Sequence, residues 1–354
     1  MKDNTVTVGE WEWCIDDESR LVPWFNIYPE VEEKYTVKTT DTARIFKVQD
    51  SKKRSYYVKH DTPNSIKEHL IAWFSSRAKI LYESGQILKG AGIPCADYPG
   101  WGKSGTESMV LSVEIPDTMT ALEYWFRIAP HSSAVRREFL SNLSALIGLY
   151  AKNFIVQYDL SLENILIRTN GSEMYVINPG EVEKRYGGLS RAEKIAILKP
   201  FVEMRGEISS DSATIAILES GVAEDSLDAS DLWHDAIDAE EEDIEENYWP
   251  ENSDKVILDD SGPLCRIVRD GENVTHIRNT IWHSEIPLPD DSNSIAEEVS
   301  EEEAEKIWMD SFKAQLLRRQ LPRVPLSWER RADGTNIIRY ADTVDGILDS
   351  GFDQ

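Results

Sequence analysis

The chain has 354 residues, of which 41% are hydrophobic, and 64 Asp and Glu against 38 Lys and Arg give it a formal net charge of −26. A chain of this length can bury a sizeable core, and its acidic excess argues against binding to nucleic acid or an anionic bilayer, which both attract basic patches. It has no apolar run of about 18 residues, no basic-then-apolar leader and three separated cysteines without a C-x-x-C pattern, so we expect a cytoplasmic protein without stable membrane insertion or disulfides.

The first 60 residues combine aromatic side chains with β-type runs. Residues 1–35 are rich in Trp, Tyr and Phe and have few helix signals, so we predict an N-terminal extension that packs on the following segment. Residues 36–60 hold runs of Val, Ile, Thr and Tyr around the polar turn 51–54, which is typical of a β meander. Lys59 lies near the end of the last predicted strand.

A helix is predicted after the meander. Ser65 and Glu68 form a capping-box pattern, and apolar periodicity continues to about Tyr82. Ser84–Gly85 is expected to break or kink this helix, and the glycines and proline of residues 90–94 are expected to end it.

Cys95–Val113 is predicted to form a strand, a glycine-rich turn and a second, buried strand. The turn is expected to contain Gly100, Gly102 and Gly105. Residues 114–118 form a short polar link.

Two helices with clear caps follow the link. Thr120 begins a capping-box pattern for a short helix. Ser132 or Ser133 is placed to cap a long helix with an apolar face that continues to about Lys152.

The stretch after this long helix carries the pattern most typical of catalysis. Asp159 and Asn164 stand five residues apart, and two apolar runs, 165–167 and 174–177, follow around a turn that contains Asn-Gly, which predicts a hairpin. A D-x-x-x-x-N loop, a short hairpin and a turn with a metal-binding Asp form the layout of a protein-kinase-type phosphotransferase. At the position of that last Asp this chain has Asn178.

Most of the negative charge belongs to the C-terminal part of the chain. Residues 206–254 contain 17 Asp and Glu, and residues 290–305 contain 8, with no Lys or Arg in either segment, so the remainder is nearly neutral. We interpret these segments as solvated faces or linkers. Helices are predicted over 190–205, within 207–250 and over 300–320, with a hairpin in 265–286 and a short strand at 337–340.

The order of motifs resembles the lipopolysaccharide kinase (Kdo/WaaP) family, whose members phosphorylate Kdo or heptose sugars of the lipopolysaccharide inner core. The resemblance covers roughly residues 36–206. It rests on YYVK, a helix ending before GIP, MVLSVEIPDTMTALEYW, YDLSLENILI and YVIN. No part of residues 207–354 resembles this family.

The resemblance implies a role for each matching residue. Asp159 matches the catalytic base, and Asn164 matches an amide-oxygen ligand of Mg²⁺. Lys59 matches the lysine that neutralises the α- and β-phosphates of ATP. Its partner in the family is a helix glutamate. Glu83 matches the family's spacing before GIP more closely, and Glu68 is the alternative.

The adenine of ATP is expected to contact the link. The resemblance places it against backbone groups near Ser112 and Glu114.

Three departures from the family pattern bear on activity. Asn178 stands where the metal-binding Asp is expected, which removes one negative charge, and Glu181 or Glu163 are candidates to supply it. The nucleotide-covering turn 39–43 has no glycine. Gln157–Tyr158 replaces the usual His-Arg or His-Gly before the catalytic Asp.

Two main hypotheses follow from these patterns. The first is an ATP- and Mg²⁺-dependent kinase that phosphorylates an alcohol group of a sugar or protein. The second is a pseudokinase, a nucleotide-binding or scaffolding module, because Asn178 replaces the metal-binding Asp. A kinase fold with another chemistry, such as AMP transfer, is a third reading, and the acidic C-terminal region is a candidate surface for a protein partner.

The expected fold class is α+β, a bilobal protein-kinase-like fold with a small β-rich N-lobe, a helical C-lobe and an acidic α/β C-terminal extension. The predicted segments are an N-terminal extension (1–35), an N-lobe (36–113), a C-lobe core (114–206) and an acidic region of unassigned role (207–354).

Overall fold

A computed structural model of the chain describes residues 4–40, 42–65, 69–70, 72–73, 75–247, 265–271, 273–278, 294–316 and 325–341. The chain divides into two compact units. The first comprises Met1–Pro200 and Ala216–Asp225, and the second comprises Phe201–Ile215 and Ser226–Gln354. Both units combine helices with antiparallel strands, so the architecture is mixed α and β.

A seven-stranded antiparallel sheet dominates the N-terminal part of the first unit. Its order is β1-β2-β6-β7-β5-β4-β3. The meander predicted over 36–60 is confirmed, and two strands that the sequence did not indicate join the sheet from within residues 1–35. The strands are β1 (Asn4–Val8), β2 (Trp11–Ile15), β3 (Thr36–Thr39), β4 (Ala43–Gln49), β5 (Ser55–Asp61), β6 (Gly100–Ser104) and β7 (Glu107–Val113).

Aromatic side chains from the N-terminal segment cover one face of this sheet. Two short helices, α1 (Val22–Phe25) and α2 (Glu30–Tyr35), belong to that segment. Trp13 is fully buried, and its ring meets Phe25 edge-on at a centroid distance of 5.4 Å. The side chains of β5 point alternately to the two faces of the sheet. Tyr56, Val58 and His60 lie on the covered face. Tyr57, Lys59 and Asp61 lie on the opposite face. Lys59, the lysine that the resemblance assigns to ATP, therefore lies on the face that the N-terminal segment leaves uncovered.

Two glycines predicted to form a turn lie instead within β6. A Cβ on Gly102 would sit 2.6 Å from the Trp13 ring, and a Cβ on Gly100 would sit 2.7 Å from the Cys14 carbonyl oxygen. The glycines are needed because neighbouring β2 approaches β6 closely, and the chain turns only after Ser104.

The helix predicted from Ser65 to about Tyr82 is interrupted at residues 75–76, which are not helical. Helix α3 (Arg77–Gly90) begins after Ser76, whose Oγ accepts from the Lys79 backbone amide at 3.3 Å. The break predicted at Ser84–Gly85 does not occur. Gly85 lies within the helix, and glycine is required there because the Tyr98 ring occupies the space that a side chain would need. The predicted end at the glycines is confirmed, whereas Glu68 of the predicted capping box lies outside the described residues.

The remaining elements of the first unit largely follow the sequence signals. Thr120 and Ser132 cap their helices, as predicted. The predicted hairpin is formed by β10 and β11. Strand β8 pairs with the other edge of β10, and β9 pairs with β12. These elements are α4 (Ala121–Arg127), α5 (Ser133–Asn153), β8 (Thr118–Thr120), β9 (Ile155–Gln157), β10 (Ile165–Arg168), β11 (Met174–Val176) and β12 (Val182–Lys184).

The helix predicted over 190–205 is shorter than expected. It begins with the predicted capping box of Ser190 and Glu193 and forms α6 (Arg191–Ile197). A separate short helix, α7 (Lys199–Val202), follows. Pro200 explains the interruption, because proline has no N–H to continue the hydrogen-bond ladder and is tolerated only in a first turn.

The acidic segment 207–250 is helical, as predicted, within the described residues. It forms α8 (Ser210–Ser220) and α9 (Ser226–Asn247). Gly221 separates them with a φ of +72°, a left-handed backbone conformation that favours glycine.

The second unit contains a five-stranded antiparallel sheet in the order β13-β14-β16-β17-β15. The predicted hairpin, helix and last strand are confirmed where the chain is described; residues 279–286 and 317–320 lie outside. The elements are β13 (Cys265–Asp270), β14 (Asn273–Arg278), β15 (Ser294–Val299), α10 (Glu301–Leu316), β16 (Pro325–Arg330) and β17 (Asn336–Ala341). Trp308, Phe312, Trp328, Ile338 and Tyr340 form its core.

Within the described ranges, no helix has the length and apolar character needed to cross a bilayer.

Candidate active site

The loop between β9 and β10 brings Asp159 and Asn164 together. A 3-10 helix over Leu162–Asn164 begins at Ser161, whose Oγ and carbonyl oxygen both accept from the Asn164 amide, at 3.3 and 3.0 Å. The Asn164 side-chain Nδ2 donates back to the Asp159 carbonyl oxygen at 3.0 Å. The D-x-x-x-x-N spacing therefore closes a compact loop, in which Asn164 fixes the backbone that carries the Asp159 carboxylate.

Asn178, two residues after β11, is tied to the same loop. Its Nδ2 donates to Asn164 Oδ1 at 3.4 Å, and the preceding Ile177 amide donates to the Asn164 carbonyl oxygen at 2.8 Å. Asn178 has a φ of +47°, a left-handed conformation that Asn adopts more readily than most residues. The hydroxyl of Tyr98 accepts from its backbone amide at 2.9 Å.

Lys59 reaches this loop from the sheet. Its Nζ donates to Asn178 Oδ1 at 3.2 Å. The ammonium group also acts electrostatically on the Asp159 carboxylate and opposes the rise in the pKa of Asp159. The structure thus assembles Lys59, Asp159, Asn164 and Asn178, which stand up to 119 positions apart in the chain, into one cluster.

The Asp159 side chain is exposed to solvent on one side and packed against protein on the other. Desolvation by this packing raises the pKa of Asp159 above its ordinary value, although Gln157, Lys59 and Lys199 act in the opposite direction. A Cβ on Gly180 would overlap the Asp159 carboxylate, and Gly180 has a φ of +54°. Glycine is therefore required here by both close approach and backbone conformation.

Helix α3 holds the turn that contains Gly180. The buried Ser84 donates its Oγ–H to the Gly180 carbonyl oxygen at 2.7 Å and accepts from the Val182 amide at 3.2 Å. This side chain bridges both ends of the turn, so the helix fixes the backbone facing Asp159.

Glu83 does not pair with Lys59 in any contact between the described residues. Its carboxylate lies 3.5 Å from Lys79 Nζ, and its side chain is 57% exposed. Consecutive residues of an α-helix point about 100° apart, so a helix that turns Ser84 inward turns Glu83 toward solvent. Glu68, the alternative partner, lies outside the described residues.

Backbone groups of the link predicted to contact adenine already form hydrogen bonds to neighbouring segments. The amides of Val113 and Glu114 donate to the carbonyl oxygens of Asp97 and Ser55, at 2.8 and 3.0 Å. The Ser112 hydroxyl donates to the Tyr57 carbonyl oxygen at 3.3 Å. The backbone amides of Val113 and Glu114 are therefore already used as donors and are not free to bind a ligand.

The Glu114 side chain turns to Lys47. Their charged atoms are 2.6 Å apart, and the hydrogen bond from Lys47 lowers the pKa of Glu114. Glu114 is thus occupied by an ion pair with β4.

The oxygen atoms of the cluster are of the kind that Mg²⁺ prefers. Asp159 offers a carboxylate, and Asn164 and Asn178 offer amide oxygens, each of which accepts a hydrogen bond from a neighbouring side chain. Mg²⁺ is usually bound by one or two carboxylates together with substrate phosphates, and this donor set fits that pattern with a single carboxylate. Across the described ranges, no group of three or more His, Cys, Asp or Glu is arranged to hold a metal ion.

Several residues that build the site had no signal in the sequence. Tyr98 and Ser84 act through hydrogen bonds to distant backbone groups. Gln157 is fully buried and accepts from the Tyr150 hydroxyl at 2.8 Å, beside the Asp159 carboxylate. Lys199, at the start of α7, acts electrostatically on Asp159. Gln157 is the exception, because Gln157–Tyr158 stands before Asp159 where the resemblance expects His-Arg or His-Gly.

No family model matches the chain, and no curated protein matches it. Among solved structures, the chain is similar to one described as "WaaP in complex with acyl carrier protein". The match has 14% sequence identity and a TM-score of 0.45, and it covers 62% of this chain and 95% of that chain.

Proposed function

We propose that the chain is an ATP-dependent phosphotransferase of the protein-kinase type. The observation that carries this proposal is the convergence of Lys59, Asp159, Asn164 and Asn178 through side-chain contacts of 3.0–3.4 Å. A lysine, a carboxylate and two amide oxygens are the groups that position and neutralise a triphosphate and orient an acceptor hydroxyl.

Asp159 is the group that would take the proton of the acceptor hydroxyl. It is exposed on one side, so an acceptor has access to it, and Gly180 leaves room beside its carboxylate. A general base acts when it is deprotonated and within hydrogen-bond reach of the proton that it removes.

Lys59 would neutralise phosphate charge, and Asn164 and Asn178 would hold Mg²⁺ through their amide oxygens. When bound, this ion supplies positive charge that stabilises the transferring phosphoryl group. The chain's own contribution is to keep Asn164 and Asn178 on one hydrogen-bonded support and Lys59 within reach of both.

The proposed acceptor is an alcohol group of a sugar or a protein. The motif resemblance favours a lipopolysaccharide core sugar, Kdo or heptose. The acidic region 207–354 is in turn a candidate surface for a protein partner. The two-lobed arrangement of residues 36–113 and 114–206 and the cytoplasmic location are parts of the same proposal.

A second candidate function is nucleotide binding without turnover. The contacts of Asn178 favour it, because its amide nitrogen donates to the Asn164 oxygen that a metal ion would otherwise use. Since an amide carries no charge, the cluster has one negative group fewer to attract a cation.

ATP with Mg²⁺ is expected to raise the melting temperature of the wild-type chain by a few degrees at saturating concentration, because a ligand that binds the folded state stabilises it. The measurement is a thermal shift with ATP, with and without Mg²⁺ or Mn²⁺. Lys59→Met keeps an unbranched side chain without the charge and is expected to lose most of the shift.

The outcomes separate the two candidates. No shift under any condition would rule out both nucleotide proposals. A shift that does not depend on the metal ion would favour binding without turnover.

A further inference from the structure

A second carboxylate lies beside Lys59 on the same strand. Asp61 ends β5 and shares the face of Lys59, since the two residues are two apart. Its Oδ1 lies 4.0 Å from Lys59 Nζ, which makes it the one carboxylate paired with Lys59 among the described residues.

The Asp61 side chain is strongly buried. It is 7% exposed, and neither carboxylate oxygen has a hydrogen-bond partner among the described residues. Burial raises the pKa of Asp61, and the positive charges of Lys59, Arg77 and His60 oppose that rise. A carboxylate without hydrogen bonds is costly to bury, so its charge depends on nearby cations.

Two cationic side chains from different elements act on this carboxylate: Lys59 of β5 and Arg77 of α3. Arg77 is the first residue of α3 and donates to the Thr42 hydroxyl at 3.2 Å, in the turn expected to cover the nucleotide. Helix α3 thus places a cation near the end of β5. The family resemblance predicts instead that a glutamate of this helix pairs with Lys59.

We propose that Asp61 is the positioning residue of Lys59, in the role that the resemblance assigns to a helix glutamate. Its carboxylate and the Asn178 side-chain oxygen both contact the Lys59 ammonium and together hold it where it would meet the phosphates of a bound nucleotide. The pairing of Asp61 with Lys59 is observed in the structure. That this pairing helps Lys59 bind phosphates rests on the proposed function.

The first test measures Lys59 without any nucleotide. The ion pair with Asp61, whose Oδ1 lies 4.0 Å away, holds the Lys59 amine in place, and an amine that is held in place reacts more slowly with an acylating reagent. The full-length chain is treated with an N-hydroxysuccinimide acetate, and acylation of Lys59 is followed by peptide mass spectrometry. Asp61→Asn is expected to accelerate this acylation several-fold, whereas Glu83→Gln leaves it at the wild-type rate. Equal rates in Asp61→Asn and wild type, or an acceleration in Glu83→Gln instead, would overturn the proposal.

The second test separates positioning from a structural role. Burial raises the pKa of Asp61, which means that keeping this carboxylate charged costs the folded chain stability, so Asp61→Asn should leave the melting temperature unchanged or raise it. ATP affinity is nevertheless expected to fall about tenfold or more. Glu83→Gln breaks only an exposed pair, so its ATP affinity should stay within about twofold of the wild-type value.

A lower melting temperature together with weaker ATP binding in Asp61→Asn would show a structural role and contradict the proposal. If Asp61→Asn accelerates acylation but the wild type binds no ATP, the proposed function fails and the pairing of Asp61 with Lys59 stands.

Discussion

Asp159→Asn is expected to lower the rate of ATP consumption by about 10²–10⁴-fold, the usual contribution of a general base. The substitution keeps the shape of the side chain and the room that Gly180 provides, but it removes the group that accepts a proton. Because Asn164 holds the backbone of Asp159 through the carbonyl oxygen, the loop should be retained and ATP affinity should change little.

The pH dependence gives a second readout of the same residue. Burial raises the pKa of Asp159, and the base is active only when deprotonated. Turnover should therefore decline on acidification at a higher pH than an ordinary Asp would give, and the residual rate of Asp159→Asn should lack this step.

The matched control is Asp97→Asn, which makes the same change in an exposed pair with Lys89. It should consume ATP at the wild-type rate. Equal rates in Asp159→Asn and wild type would remove Asp159 from the catalytic role.

Asn178→Asp is expected to lower the Mg²⁺ concentration needed for ATP binding and turnover by about tenfold or more, because it adds a negative charge next to the amide oxygen of Asn164. It also replaces the side-chain amide that donates to Asn164 Oδ1, which leaves that oxygen available to a cation. The hydrogen bond from Lys59 Nζ, 3.2 Å in the wild type, becomes an ion pair.

Asn170→Asp is the control for this substitution. Asn170 is exposed in the turn at the other end of the β10–β11 hairpin, where its side-chain oxygen accepts from Ser172, so the same charge is added away from the site. If Asn178→Asp and Asn170→Asp show the same Mg²⁺ requirement as wild type, Asn178 does not contribute to metal binding.

Features that depend on neighbouring residues were predictable from the sequence. The caps at Thr120, Ser132 and Ser190 are local hydrogen bonds, and the structure confirms each of them. The β10–β11 hairpin follows from two apolar runs around an Asn-Gly turn. The D-x-x-x-x-N spacing also reports a local arrangement, since Asn164 bonds to the Asp159 backbone.

Features that depend on distant residues were not predictable in this way. The local sequence around Gly100 and Gly102 is typical of a turn, and it gives no sign that distant Trp13 packs on their strand. The spacing of Glu83 predicts a pairing with Lys59, whereas the direction of a helical side chain depends on how the helix packs. Asp61 stands two residues from Lys59, yet only burial shows that its carboxylate belongs to the site.

The most direct test of a nucleotide site formed by Lys59, Asp159, Asn164 and Asn178 is an NMR titration of the side-chain amides of the full-length chain with ATP and Mg²⁺. Substitution of each Asn by Asp assigns its signal. The signals of Asn164 and Asn178 are expected to move, while the signal of Asn170 stays in place. Unchanged signals of Asn164 and Asn178 at saturating ATP, with or without Mg²⁺, would contradict the assignment of this cluster as a nucleotide site.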